Sequence, residues 1–404
     1  MIWEQIRSNQ LRSTMLVVVM GALLLVLGYF VGEVFFGNWI AGVIVALIVW
    51  GIMNLVAITQ GDSIVLAVSG ARKISQADHP RLFDVVEEMK VASGLEKMPD
   101  IYIIDDPSLN AFSTGRNAQH ASVAITSGLL GKLNRDELQG VIGHEVGHIR
   151  NRDVQLMVML SVLLGSIVII SWYATRALFF TNAGSGRRRN SGGGGSGQII
   201  ILAVGVVLMI LAPIAAQLIY FAVSRKREYL ADASSALYTR YPEGLASALD
   251  KLGTGNTQVQ KANKATAPMY IVNPLEKRSL SAEGLTSTHP PIAARVRILR
   301  AMGGASYGAY DQAYRAATGG AGIVPASAIA APALGLRAAS AEAGPVEDLP
   351  DRIARTRETS GMLWQLNNYQ TIDCDCGTRL RVSPGYRSPT VRCPHCGRIH
   401  PTPR

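Results

Sequence analysis

The chain has 404 residues, 48% of them hydrophobic and only 17% charged, a balance too apolar for an ordinary water-soluble protein and one that points to segments in a bilayer. Its net charge of +10 suits a membrane-proximal protein as well as a nucleic-acid binder, so charge alone excludes neither.

Residues 14–32 and 39–58 are charge-free apolar runs, each long enough to cross about 30 Å of hydrocarbon, with Glu33 in the turn between them. They read as a hairpin. The first run is longer than the apolar stretch of a signal peptide and no small-x-small cleavage site follows it, so it is expected to remain as an anchor. Residues 60–153 then read as a small mixed domain. Leu82, Val85, Val86 and Met89 mark one face of an amphipathic helix, while Ile101–Ile104 and Ala121–Ile125 have the composition of strands.

At the end of that domain stands His144-Glu145-Val146-Gly147-His148. Asn134 is a natural N-cap with Glu137 three residues on, and Leu138, Val141, Ile142 and Ile149 recur at helical spacing. On a helix, side chains four residues apart lie one turn above each other, so His144 and His148 can share one metal. Glu145 projects beside them, off the metal, where a carboxylate can take a proton from the metal's water. A catalytic zinc site needs a third protein ligand and an open position. Glu228, in Arg227-Glu228-Tyr229-Leu230-Ala231-Asp232, can supply the ligand, and Asp232, one turn later, can hold a liganding imidazole by its free N–H.

Two more apolar runs, 154–174 and 198–223, lie between these stretches, the second containing Pro213. If they form an antiparallel hairpin, His148 and Glu228 return to one face, about 10 Å from the bilayer boundary at a rise of about 1.5 Å per residue. Sidedness is mixed by the positive-inside rule. Arg7, Arg12, Arg72, Lys73, Arg225, Lys226 and Arg227 favour a cytoplasmic catalytic face, whereas Arg176 and Arg187–Arg189, beside the Gly/Ser tract 191–197, oppose it if both runs span. Further on, Pro242–Leu252 and Ile292–Met302 read as helices closed by glycines, and 254–287 lack periodicity and read as a loop.

Five motifs occur in order: Asn110-Ala-Phe-Ser-Thr-Gly115, Ile125-Thr-Ser-Gly-Leu-Leu130, His144-Glu-Val-Gly-His148, Glu228 to Asp232, and Ser287-Thr-His-Pro-Pro291. Over residues 1–302 the chain resembles the HtpX-type membrane metalloproteases, bacterial heat-shock peptidases of the gluzincin clan. The resemblance implies a multi-pass, zinc-dependent endopeptidase of the bacterial inner membrane, its site facing the cytoplasm. Its implied substrates are membrane and misfolded proteins in quality control. It also implies zinc on His144, His148 and Glu228, a base at Glu145, support from Asp232, and transition-state or structural roles for His289 and Arg295. The strand Ala121–Ile125, if it lies at a sheet edge, would align an extended substrate by main-chain hydrogen bonds.

Residues 304–350 are dominated by Ala, Gly and Pro and read as linker. Beyond them, Cys374-Asp-Cys376-Gly and Cys393-Pro-His-Cys396-Gly hold all four cysteines, two paired thiolate donors suited to a tetrahedral structural zinc. No apolar run follows Glu228, so this ribbon shares the catalytic face, and zinc-bound thiolates suit the cytoplasm. HtpX-type proteases commonly lack a ribbon. Arg379, Arg381, Arg387, Arg392 and Arg398 make it basic, most simply as a solvated surface. Substrate or lipid contact are the functional readings, and nucleic acid is not the expected partner.

The expected fold is therefore α+β and predominantly helical, with four hydrophobic segments, a small sheet beside the metal helix and a C-terminal zinc ribbon. Its expected divisions are 1–60 (membrane hairpin), 61–153 and 225–303 (the two catalytic parts), 154–224 (second hairpin), 304–350 (linker) and 351–404 (ribbon). A CaaX-prenyl-protease-like peptidase and a non-catalytic membrane-anchored zinc scaffold are the rival readings. Glu145 argues against the scaffold, since a structural zinc has no use for a carboxylate beside its ligands.

Overall fold

The computed structural model describes residues 2–154, 225–255, 258–261, 266–274, 289–324, 326–329, 333–340 and 349–402, with scattered positions between 157 and 214. The expected runs 154–174 and 198–223 and their Gly/Arg-rich loop lie largely outside these residues.

Helices α1 (Ile2–Phe36) and α2 (Trp39–Val68) form an antiparallel hairpin, the turn at Gly37 and Asn38 closed by the Asn38 side chain capping α2. Their contact depends on missing side chains: a Cβ on Gly42 would meet Gly28 O at 2.2 Å and Gly32 Cα at 2.5 Å. Among the described residues α2 is long and apolar enough to cross a bilayer. Its outward Ile44, Leu47, Ile48 and Leu55 are exposed, the pattern of a surface that faces something apolar.

A four-stranded sheet follows, ordered β1 (Ala71–Lys73), β2 (Asp100–Ile104), β4 (Ala121–Thr126), β3 (Ala111–Gly115). β2 and β4 run parallel and the other pairs antiparallel. The expectation of an edge strand at Ala121–Ile125 is thereby corrected. β4 is hydrogen-bonded on both sides, and β3 holds the edge. Part of that edge is covered, since Phe112 bridges Tyr270 and the Ile271 N–H donates to the Ala111 carbonyl.

Helix α3 (Pro80–Ser93) packs Leu82, Val85, Val86 and Met89 into the main core, as its apolar periodicity predicts. The short α4 (Ser127–Lys132) leads to α5 (Arg135–Arg150), the helix that carries the two histidines. α5 opens with a capping box: the Glu137 N–H donates to Asn134 Oδ1, and the Asn134 N–H donates to the Glu137 carboxylate. It is buried nearly all round, so it is the axle of the domain and not a surface helix. Leu138, Val141, Ile142, Val146 and Ile149 are each fully buried, worth about 1.5–3 kcal/mol apiece. Gly140 admits the next layer, since a Cβ there would lie 2.5 Å from the Leu245 nitrogen.

That layer consists of α6 (225–239) and α7 (Pro242–Thr254), followed by α8 (Ile292–Arg300) and α9 (Tyr307–Thr318). Lys251 and Ser247 of α7 both bond the Glu137 carboxylate, tying α7 to the start of α5. The expected linker is corrected here. α9 buries Tyr307, Tyr310 and Ala313, and Asp311 fixes the turn after it by accepting from the Ile323 and Val324 N–H groups. Residues 333–340 then form a strap over α5, where Arg337 reaches the Thr239 carbonyl, Asp136 and Gln139. Alanine-rich composition hid this because the strap is held by polar bonds, side chain to side chain and side chain to backbone, which leave no apolar periodicity.

Helix α10 (Leu349–Leu366) packs on α4 and leads to two hairpins, β5–β6 (Gln370–Asp373, Arg379–Val382) and β7–β8 (Thr390–Arg392, Ile399–Pro401). Arg72 anchors the end of α10 by donating to the Leu366 carbonyl and Asn367 Oδ1.

Candidate metal centre

α5 and α6 run antiparallel and in close contact: Gly147 lies against Ala231 and Ser234, and Ser235 Oγ donates to the Gly140 carbonyl. This register sets Glu228 opposite His148 and Asp232 opposite His144. The outcome is a triangle of donors. His144 Nε2 and His148 Nε2 are 3.2 Å apart, Glu228 Oε1 is 3.4 Å from His148 Nε2, and Glu228 Oε2 is 3.6 Å from His144 Nε2.

Ligands of one tetrahedral zinc with bonds of about 2.0–2.1 Å sit about 3.3–3.4 Å from each other. The three distances fit that figure, and the donor set of two imidazoles and a carboxylate suits a catalytic zinc with a position left for water or substrate. The residues present therefore fit the ion.

Each imidazole is turned to offer Nε2 by a buried carboxylate behind it. His144 Nδ1 donates to Asp232 Oδ1 at 2.9 Å, and His148 Nδ1 lies 3.3 Å from Asp153 Oδ2. Because His144 Nδ1–H donates to Asp232, the 3.4 Å approach of Arg295 Nη2 to the same nitrogen is a packing contact and not a second hydrogen bond. An arginine backs each aspartate in turn. Arg295 grips Asp232 with two bonds of 2.8 and 2.6 Å, and Arg227 donates to Asp153 at 2.9 Å.

Electrostatics follow from these contacts. Burial opposes a charge on His148, but bonds to Asp153 and Glu228 outweigh it and push the metal-free imidazole up to about 10. Burial likewise opposes charge on His144, and bonds to Asp232 and Glu228 raise it. Burial would raise Glu228, yet His289 and the two imidazoles hold it well below the usual carboxylate range. Asp232 is held down in the same way, against burial, by the Arg295 charge. The pocket is thus a nest of compensated charge in which a cation replaces protons.

Of the residues singled out from sequence, the structure brings His144, His148, Glu228, Asp232, His289 and Arg295 into one cluster, with Glu145 next to His144 on α5. Glu145 is 1% exposed, and its Oε2 has no hydrogen-bond partner among the described residues. His289 Nδ1 lies 3.0 Å from Glu228 Oε2. Arg295 is fully buried and also lies 3.5 Å from Glu228, which removes the surface reading of that residue. Asp153 and Arg227 are the two members that sequence reasoning missed. The available signals were an acid five residues past His148 and a basic residue directly before Glu228.

A family and its relatives decide the class of this centre. The sequence description of peptidase family M48 matches residues 76–303, which is more than half of the chain and holds every residue of the cluster. The chain belongs to peptidase family M48. The Protease HtpX homolog of Dictyoglomus turgidum is 43% identical over 301 residues, covering 74% of this chain and 95% of the relative. The Protease HtpX homolog of Streptococcus pneumoniae (strain Hungary19A-6) is 41% identical over 302 residues, 75% of this chain and all of the relative. The peptidase is therefore zinc-dependent and related to HtpX, as the motif order suggests. The crystal structure of S. mikatae Ste24p is a distant likeness, with TM-score 0.40 and 20% identity over 74% of this chain and 66% of that one, too weak to carry an argument.

The four cysteines form the second centre. Sγ–Sγ distances of 3.5 Å (Cys374–Cys396), 3.4 Å (Cys374–Cys376) and 3.7 Å (Cys376–Cys393) approach the roughly 3.8 Å expected between thiolates on one tetrahedral zinc. None is disulfide-bonded. The single residue between Cys374 and Cys376 does not prevent convergence, because the turn at Gly377 (φ 82°) bends the chain back to β6.

Proposed function

We propose that the peptidase cleaves membrane and misfolded proteins at the face of the bacterial inner membrane, with His144, His148 and Glu228 as zinc ligands and Glu145 as base. The observation that carries this reading is the donor triangle at tetrahedral spacing beside a buried Glu145 oxygen that has no partner among the described residues. Zinc, when bound, polarises the scissile carbonyl and makes water more acidic. Glu145 takes the proton from that water and later delivers it to the leaving nitrogen. Asp232 and Asp153 keep both Nε2 atoms turned inward by accepting at Nδ1. Arg295 keeps Asp232 ionised, and His289, held against Glu228, stands where it can meet the charge that develops on the carbonyl oxygen.

For the substrate we assign β3. Its first half is covered by Tyr270 and Ile271; Ser113–Gly115 continue the edge, buried in this conformation, and Ser113 lines a small cavity together with His148 and Glu228. A peptide that displaces the cover over Ser113–Gly115 pairs there through its backbone, which tolerates many sequences. In this reading residues 1–60 and 154–224 are two membrane hairpins, 61–153 and 225–303 the catalytic parts, and 351–404 a structural zinc ribbon, all soluble parts being cytoplasmic. Among the described residues no contact favours the CaaX-type alternative. The test is a comparison of membrane-protein fragments in cells carrying wild-type or Glu145→Gln protein. Fragments present only with the wild type support the proposal, and equal fragments in both refute it.

A further inference from the structure

His148 and Glu228 stand on two different helices, α5 and α6, far apart in sequence. One buried carboxylate joins their surroundings. Asp153 is 1% exposed and uses its two oxygens in opposite directions, Oδ2 lying 3.3 Å from His148 Nδ1 and Oδ1 accepting from Arg227 Nη1 at 2.9 Å. Arg227 is itself 5% exposed and directly precedes Glu228. The other imidazole is supported differently. Asp232 stands on the same helix as Glu228, one turn later, so that pair is held by one element.

We infer that Asp153 and Arg227 form a clasp between the chain just after α5 and the start of α6, fixing the separation of His148 and Glu228 and so the affinity of the site for its metal. The inference rests on the assignment of His144, His148 and Glu228 as zinc ligands. Both are positioning residues. Three features distinguish the clasp from an ordinary buried ion pair. One partner bonds a ligand's imidazole, the other is the immediate neighbour of a ligand, and the two lie 74 positions apart in sequence.

The test measures zinc affinity, not turnover, on the full chain in detergent micelles by competition with a graded series of chelators. The ribbon's zinc serves as an internal reference, since it shares no ligand with the clasp. Asp153→Asn and Arg227→Ala are expected to weaken one of the two zinc ions about 10–100-fold, the usual effect of removing a partner behind a ligand, and to leave the other unchanged. Arg227→Lys keeps a cation for the bond to Asp153 and is expected to restore most of the loss. Two results overturn the clasp: wild-type affinity for both ions in Asp153→Asn or Arg227→Ala, or an Arg227→Lys variant as weak as Arg227→Ala. Should Arg227→Ala lose both ions together through misfolding, Arg227→Lys decides alone, since near-wild-type affinity supports the clasp and a selective loss at one site without rescue refutes it. A wild-type chain that binds only the ribbon's zinc fails differently, refuting the ligand assignment itself.

Discussion

Arg295→Met should be among the most damaging single substitutions in this protein. Arg295 is fully buried, donates to both oxygens of Asp232 at 2.8 and 2.6 Å, and lies 3.5 Å from Glu228. Methionine fills much of the volume but leaves Asp232, itself fully buried, with the Nδ1–H of His144 as its remaining side-chain partner among the described residues. Breaking one side of such a pair costs about 3–5 kcal/mol, because an uncompensated charge stays inside. At about 2–4 °C per kcal/mol for a domain of this size, the zinc-loaded protein should melt about 6–20 °C lower. Adding Asp232→Asn removes the stranded charge, so the double variant should melt well above the position obtained by summing the two single losses. Circular dichroism melts of the detergent-solubilised proteins at one zinc concentration give all four midpoints. A shift below about 3 °C for Arg295→Met, or simple additivity in the double variant, would refute the argument that this arginine is held for charge compensation.

The pH dependence of zinc uptake follows from His148. Its metal-free imidazole is raised to about 10, so at neutral pH zinc must displace a proton, and His144, raised as well, adds to this. Apparent affinity at this site should therefore climb with pH, about tenfold or more per unit from pH 6 to 8, and flatten only as pH approaches the raised value. Calorimetry in buffers of different ionisation enthalpy should register the release of about one proton or more at pH 7.5, whereas an ordinary imidazole near 6.5 would give almost none. Arg337→Ala tests the strap. It strips Asp136 (2% exposed) of its cation while Ser340 still donates two bonds, and should cost about 1.5–3 kcal/mol, seen as faster protease nicking within 333–340. Unchanged nicking would mean that the strap is held by other contacts.

The catalytic pair of histidines was legible because a helix imposes one spacing on metal ligands, and the Asn134–Glu137 box announced where that helix starts. Glu228 and Asp232 were legible only as partners of that helix, since the antiparallel register opposing 148 to 228 and 144 to 232 is a packing result. Asp153 was not legible. It reaches His148 because Arg152 takes a left-handed backbone (φ 59°) after the helix ends, which swings the next residue back. β3 was hidden for another reason: Ala111–Gly115 is buried at every position, polar Ser113 and Thr114 included, so the alternation that marks a half-exposed strand is missing. Arg295 looked like a surface residue because sequence prices a charge as solvated until its partner is known. Asp232 lies 63 positions away.

His144, His148 and Glu228 are proposed to hold a zinc ion, with Glu145 as the base that takes a proton from the attacking water. This assignment is tested most directly by purifying wild-type and Glu145→Gln protein in detergent, counting zinc per chain, and following cleavage of an unfolded protein with and without a chelator. The account predicts two zinc ions per chain in both proteins, with cleavage by the wild type alone that chelation stops and added zinc restores. Cleavage by Glu145→Gln at the wild-type rate, or by wild type stripped of its metal, would contradict it.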